Sequence, residues 1–416
     1  MKKHLTLLGV AAMAISVFAG CSNDEILESY QGEEISFRTR TETRATEITI
    51  KNLESFYVWG DAENYDDFFL QRGIATRMAQ GDDNTATYDL KTKDGYKVYW
   101  PAGVTKIDFW AYGPKDIIPE SQEEVTKQHQ RLEYAPAVSM TEGGKSHKDL
   151  IVAHTTATHQ TSGANVTLDF KHPLSGITLD LQSGDPTKIM RLKGAWFVNA
   201  KNKGILYYDA NATNQLINWD LAQASNASYG VTTDLTIYNS SATSVITKGN
   251  NDLMLIPQNV NKLVFDGNGN ITTNGSYILL LCQIISEHTG AQHTDETTAA
   301  EDNNAKHYHL LFPEDNSAVF ESINKVPTKY AYTCVPVDFS WEAGKRYKYS
   351  LKFCGTNSGG GIYPPATLPE LPEVSGVEII DRPDTKNPGS PVLDNPITFT
   401  VSVAGWDDIT NDTNLQ

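Results

Sequence analysis

Apolar residues in this chain recur at every second position, in short runs bounded by Gly, Pro, Asn and Asp, and that period decides the fold class. Lys106-Ile107-Asp108-Phe109-Trp110-Ala111-Tyr112 is one such run, and Ile397-Thr398-Phe399-Thr400-Val401-Ser402-Val403 is another. No stretch keeps the spacing of an amphipathic helix for more than two or three turns. Alternating side chains place one strand face on a core and the other in water, which stacks antiparallel sheets. The expectation is an all-β chain built as two β-sandwich blocks in line.

The punctuation suggests where the blocks divide. Residues 155–164 are Thr, Ser, Gly and His with no apolar anchor, so an N-terminal domain is expected over 45–162 and a C-terminal domain over 163–416. The C-terminal domain ends in a strand over 397–406. Leu253 to Gln258 and Tyr277 to Cys282 are nearly continuous apolar runs, expected at the centre of a sheet covered on both faces. Three hairpins are expected from adjacency: Tyr96–Trp100 with Lys106–Tyr112, Gly194–Val198 with Gly204–Tyr208, and Tyr330–Pro336 with Arg346–Phe353. Residues 115–147 read as a polar excursion, 286–309 as a polar insertion, and the Gly- and Pro-rich 355–373 as a flexible or polyproline-like linker.

The first 45 residues carry two processing signals. Lys2, Lys3 and His4 precede the apolar Leu5–Val17, and Phe18-Ala19-Gly20-Cys21 closes the segment. That is a lipoprotein signal peptide over 1–20, too short to cross about 30 Å of hydrocarbon. Cys21 is then the lipidated first residue. A propeptide over 21–44 follows, ending in the Thr- and Arg-rich Arg38–Ala45, where an exposed polar segment invites cleavage between Arg44 and Ala45. The other reading is an edge strand with no processing. Ile35-Ser36-Phe37-Arg38 just before it is a strand signal, and a cut after Arg44 would remove that strand together with the lipid.

Charge narrows the partners. The net charge is −17, and 1–44 hold five basic and six acidic groups, so a chain trimmed to Ala45 stays nearly as negative. Nucleic acid and anionic membrane surfaces are repelled. With Cys21 lipidated, Cys282, Cys334 and Cys354 remain, an odd number that permits one internal disulfide at most. Cys334 and Cys354 are the pair nearest by strand adjacency; the alternative is three buried thiols.

Signals for chemistry are thin. The chain has no GxSxG, HExxH, P-loop or dinucleotide fingerprint, and no catalytic or cofactor residue is assigned. His288, His293, His307 and His309 with Asp295, Glu296, Glu301 and Asp302 could hold a divalent ion if the insertion folded back. A solvated surface loop is the stronger reading, because nothing in the sequence orders those side chains, and no metal site is assigned. His172 is expected to cap backbone carbonyls at a strand end. Trp100, Trp110, Trp196, Trp219, Trp341 and Trp406 fit core packing better than a carbohydrate platform, and the acidic loops Asp61–Asp67 and Asp82-Asp83-Asn84 lack calcium-loop spacing.

Taken in order, several segments resemble the Bacteroidales fimbrillin family, the Mfa-like type V pilins and their accessory subunits. They are Phe18–Cys21, Arg44-Ala45, Tyr99-Trp100-Pro101 with Asp108–Tyr112, Asp149–Ala153, Leu168–Leu174, Leu255–Gln258 and Trp341–Tyr347. The resemblance runs over nearly the whole chain; Phe18 departs from the leucine usual at that lipobox position. It implies two tandem transthyretin-like β-sandwich domains, export as a lipoprotein to the outer membrane and cell surface, cleavage by an arginine-specific protease, and polymerisation with other fimbrial subunits by strand exchange. Cys21 matches the lipid-bearing residue and Arg44 the protease site.

The resulting expectation is a non-enzymatic fimbrial structural or tip subunit that mediates adhesion and needs no cofactor. Loss of the Ile35–Phe37 strand would open a sandwich, and a neighbour's strand would fill it. Ile397, Phe399, Val401 and Val403 form the candidate donor strand, with the alternative that this strand completes its own domain. The rival function is a surface lipoprotein that keeps its lipid, binds glycan or another protein, and never polymerises.

Overall fold

The computed structural model describes residues 33–40, 52–78, 86–159, 165–208, 217–246, 251–289, 306–314 and 318–405. Cys21, Arg44, Ala45, Asp82-Asp83-Asn84, His293 and Trp406 lie outside the described residues. Within them the regular structure is strand apart from three short 3₁₀ turns.

The order opens with β1 (Ser36–Arg40), β2 (Ser55–Ala62), β3 (Leu70–Arg77), β4 (Ala86–Lys91) and β5 (Lys106–Gly113). Then come β6 (Glu123–Val125), β7 (Gln130–Tyr134), β8 (Ile151–Thr158) and β9 (Asn165–Asp169). The middle holds β10 (Ser175–Ser183), β11 (Lys188–Lys201), β12 (Gly204–Tyr207), β13 (Asn218–Asp220), β14 (Asn226–Ile237), β15 (Thr243–Ser244), β16 (Leu253–Leu255) and β17 (Gln258–Val260). The remainder is β18 (Val264–Phe265), β19 (Ile271–Thr273), β20 (Tyr277–Thr289), β21 (Lys306–Phe312), β22 (Lys329–Pro336), β23 (Phe339–Trp341), β24 (Lys345–Phe353), β25 (Glu378–Ile379) and β26 (Thr398–Gly405).

Seven strands form one sheet in the order β8-β5-β2-β3-β4-β1-β9. It curls until its edges meet: Val152 N–H donates to Lys171 O at 3.0 Å and Lys171 N–H returns a bond to Val152 O at 2.8 Å. Alternate residues of β1, β2, β4, β5 and β9 point inward and make a core of Phe37, Phe56, Tyr88, Phe109, Leu168 and their neighbours. Strand β9 lies beyond residue 163, so the sheet crosses the expected domain boundary. Val166 and Leu168 alternate in phase with the first core, which draws them there.

The second body stacks two sheets, one ordered β15-β10-β24-β26 and the other β14-β11-β20-β22-β25. Between them lie Ile177 and Leu179 from β10, Tyr349 and Leu351 from β24, Phe197 from β11, and Ile278 and Leu280 from β20. As its composition predicts, β20 is buried on both faces from Tyr277 to Ile285. A four-stranded sheet, β13-β12-β7-β6, joins the two bodies by pairing β7 with β12. The excursion over 115–147 therefore supplies two strands.

The three expected hairpins do not form. Tyr96–Trp100 lies along the segment before β1, where Ile35 N–H donates to Val98 O and Trp100 N–H to Glu33 O, while β5 pairs with β2 and β8. Both edges of β11 are taken by β14 and β20, which leaves no place for β12. Strands β22 and β24 enter different sheets. In the last pair, crossing to opposite layers puts an apolar face of each strand on the core between the sheets.

The Gly- and Pro-rich segment is no flexible linker. Residues 358–365 are buried; Ile362 exchanges backbone hydrogen bonds with Cys334, and Leu368, Leu371 and Val374 pack on the outer face of the β20–β22 sheet. Gly361 adopts φ +101°, and a Cβ there would meet Thr333 Oγ1 at 2.3 Å, so glycine permits the close approach. Cys282, Cys334 and Cys354 are free thiols. Cys334 sits on the outer face of its sheet while Cys354 packs against the core between the sheets, so the two cannot meet.

Candidate functional site

Strand β1 occupies a slot inside the first sheet. It runs antiparallel to β4, with Phe37 opposite Tyr88, and parallel to β9, with Phe37 beside Val166. Ile35, Phe37 and Thr39 are wholly buried and Arg38 is exposed, the one-in, one-out pattern its sequence predicts. The Phe37 ring meets Phe109 edge-on at 5.3 Å and Phe56 at 6.1 Å. Burying Ile35 and Phe37 stabilises the sheet by roughly 3–6 kcal/mol. Exposed ion pairs, Glu34 with Lys97 at 2.6 Å and Glu33 with His159 at 3.6 Å, add little. Every other described strand lies C-terminal to β1, so residues 41–54 are its only covalent tie to the sheet.

The candidate donor residues divide. Ile397 is 4% exposed and belongs to the core of its own sandwich. Beyond it β26 pairs antiparallel with β24 at the sheet edge, Tyr349 opposite Val401. Phe399, Val401 and Val403 are 39%, 38% and 55% exposed, and Thr400 and Ser402 on the other face are exposed too. An edge strand with apolar side chains in water invites pairing with another chain. Together these three leave more than one full side chain of apolar surface exposed, about 2–4 kcal/mol of unused burial. Just before the strand, Leu393 and Asp394 hold φ of +51° and +67°, a tight turn that sets its departure from the core.

The other sequence candidates resolve into packing. Trp100, Trp110, Trp196 and Trp341 are buried, and the indole N–H groups of Trp100, Trp196 and Trp341 donate to Val104 O, Met140 O and the Tyr349 hydroxyl. Trp219 is half-buried and donates to Pro173 O. In the acidic loop Asp61 pairs with Lys127 at 2.6 Å, and Glu63 accepts from the Thr105 amide and hydroxyl. His172 Nδ1 lies 2.7 Å from Asp149 Oδ2, a carboxylate partner rather than a backbone carbonyl for that nitrogen, and both side chains are buried. His288, His307 and His309 sit on the ordered base of the 286–309 insertion, in β20 and β21 rather than in a loop. Sequence adjacency alone missed the Asp149–His172 pair, although both residues stand in segments singled out by the resemblance.

Comparison with known proteins places this architecture. A crystal structure of a fimbrial protein from Bacteroides vulgatus aligns over 90% of this chain and 99% of its own, with 13% identity and a TM-score of 0.50. A candidate cell adhesion protein from Parabacteroides distasonis aligns over 91% and 98% with 12% identity and a TM-score of 0.41. Another, from Bacteroides ovatus, aligns over 91% and 99% with 11% identity and the same score. No curated protein sequence matches the chain. The profile of the fimbrillin-like family matches residues 43–362, about three quarters of the sequence, and the chain belongs to that family.

Proposed function

We propose that the chain is a fimbrial structural or tip subunit, acting in adhesion at the cell surface and assembled with other subunits by strand exchange. Membership of a fimbrillin-like family supports the fimbrial role, which is structural rather than catalytic. In this reading Cys21 carries lipid to the outer membrane, and an arginine-specific protease cuts between Arg44 and Ala45. The cut severs the tie between β1 and the sheet. Departure of β1 leaves unpaired backbone on β4 and β9 and an apolar slot lined by Phe56, Tyr88 and Phe109, which is costly to leave open.

The single observation that carries the exchange is the match of β26 to that slot. Phe399, Val401 and Val403 repeat the two-residue spacing of Ile35, Phe37 and Thr39. With Val403 in the Thr39 place, a buried hydroxyl gives way to a methyl, so the incoming strand is the more apolar occupant. Because β26 is exposed on both faces and Ile397 remains as a core anchor, the sandwich can release it without opening.

The test compares two chains beginning at Ala45, one ending at Gln416 and one at Ile397. The longer should form heat-resistant ladders on a gel. The shorter should stay monomeric with unchanged circular dichroism and cooperative unfolding. Ladders from the shorter chain would remove β26 as the donor.

A further inference from the structure

Arginine and lysine are distributed differently along this chain. Three of its nine arginines, Arg38, Arg40 and Arg44, fall just before Ala45, and only six follow, against 23 lysines. All six lie among the described residues. A protease takes its substrate as an unpaired, extended segment with the recognised side chain in a pocket, so it cuts where backbone and side chain are both free. None of the six meets that condition.

Arg131, Arg191 and Arg346 lie in β7, β11 and β24, each paired on both edges. Their guanidinium groups are engaged as well: Arg131 with Glu124 at 2.9 Å and Glu133 at 2.7 Å, Arg191 with Gln283 Oε1 at 3.3 Å, and Arg346 with Asp252 at 2.5 Å. Release of β26 would free one edge at Arg346, while β10 and Asp252 keep the other edge and the side chain. Arg72 in β3 holds φ +50° rather than extended backbone, and its guanidinium pairs with Glu123 at 2.5 Å and lies 3.9 Å from the centre of the Tyr57 ring. At Arg77 the amides on both sides of the residue are bonded, Arg77 N–H to Glu54 O at 2.8 Å and Met78 N–H to Thr87 O at 2.9 Å. Arg382 precedes Pro383, whose ring nitrogen carries no hydrogen and whose ring obstructs a protease cleft.

Lysine is placed without such care. Lys93, Lys145, Lys148 and Lys386 are exposed and lie outside strands. Arginine's planar fork suits half-buried ion pairs, which accounts for Arg72, Arg131 and Arg346. It does not account for the absence of arginine from the exposed turns that lysine occupies. We infer that the folded body beyond Ala45 is closed to arginine-directed proteases and open to lysine-directed ones. The inference rests on the reading that an arginine-specific protease cuts between Arg44 and Ala45, and it supplies what keeps that enzyme from going further. While β1 is seated between β4 and β9, Arg38 is paired on both edges in the same way. Cleavage at a guarded arginine waits on local unfolding, so its rate follows the small population of opened molecules.

The purified full chain should be incubated with an arginine-specific endopeptidase and, separately, with a lysine-specific one, and the product termini followed by mass spectrometry. The arginine enzyme should leave a lasting body from Ala45 to Gln416, with cuts after the six later arginines at least about 100-fold slower than the cut after Arg44. The lysine enzyme should nick the same folded chain after Lys93 or Lys386. Lys93→Arg and Lys386→Arg should each give the arginine enzyme one new fast site with the melting temperature unchanged. Fast cleavage of the folded parent after any of the six arginines overturns the inference, as does resistance of both variants, which would show that the turns themselves protect the body. Resistance at the six sites in a chain left uncut at Arg44 would uphold the inference and refute the proposed maturation cut, so the two fail separately.

Discussion

Replacing Phe37 by alanine tests the slot directly. The side chain is wholly buried between Phe56 and Phe109. Removing such a ring from a core costs about 3–5 kcal/mol. In the intact chain that cost appears as lost stability. If β1 is instead supplied as a separate peptide, the same cost becomes an affinity ratio of roughly 150- to 5,000-fold. The acceptor should begin at Ala45 and end at Ile397, so that no β26 competes. A fluorescent peptide spanning 33–44 is then titrated by anisotropy, as the parent sequence, with Phe37→Ala, and with Arg38→Ala. Arg38 points to solvent, and its variant should bind within a factor of about three of the parent. Equal binding by the parent and Phe37→Ala peptides would refute the reasoning, as would an acceptor that binds neither.

Three further outcomes follow from buried polar groups. Burial holds the His147 imidazole below its usual 6.5. The unfolded chain therefore takes up that proton first, and stability should fall as pH drops below about 6.5, by up to about 1.4 kcal/mol per unit, until the folded group protonates. His147→Gln should flatten that part of the profile in urea titrations from about pH 7 to about pH 5. Asp149→Ala removes a buried hydrogen-bond partner of His172 and should cost about 1–3 kcal/mol in the same assay; a loss under about 0.5 kcal/mol would show that the pair is incidental. Burial pushes the Cys354 thiol up to about 12 and the Cys282 and Cys334 thiols further. A chain beginning at Ala45 should resist a thiol reagent at neutral pH when folded and release three thiols when unfolded, whereas a disulfide would leave one.

Strands were legible in the sequence because their signal is local. The alternation in Lys106–Gly113, Ser175–Ser183 and Lys345–Phe353 reports which faces are buried without reference to any partner. Partnership was not legible. Tyr330–Pro336 and Arg346–Phe353 read as neighbours, yet one pairs with β20 and the other with β10, because the core lies between layers and each strand needs a face on it. The slot shows the same division. Ile35–Phe37 declared itself a strand, but its place between β4 and β9 depends on partners as distant along the chain as Ala86 for Thr39 and Asn165 for Ser36. Gly359–Gly361 misled for a different reason: glycine permits close packing as readily as disorder, and composition does not distinguish them. Among the candidate donors, alternation grouped Ile397 with Phe399, Val401 and Val403, although Ile397 is buried in its own sandwich and the other three stand exposed on an edge strand.

The seat of β1 also sets an order of events. Its parallel neighbour is β9, so the strand synthesised first cannot be fully paired until residue 169 exists, and the sheet that joins the two bodies must wait for β12. Contacts so distant along the chain close slowly. Strand β1 is thus made well before its neighbour β9, and throughout that interval the growing first sheet carries an unpaired edge.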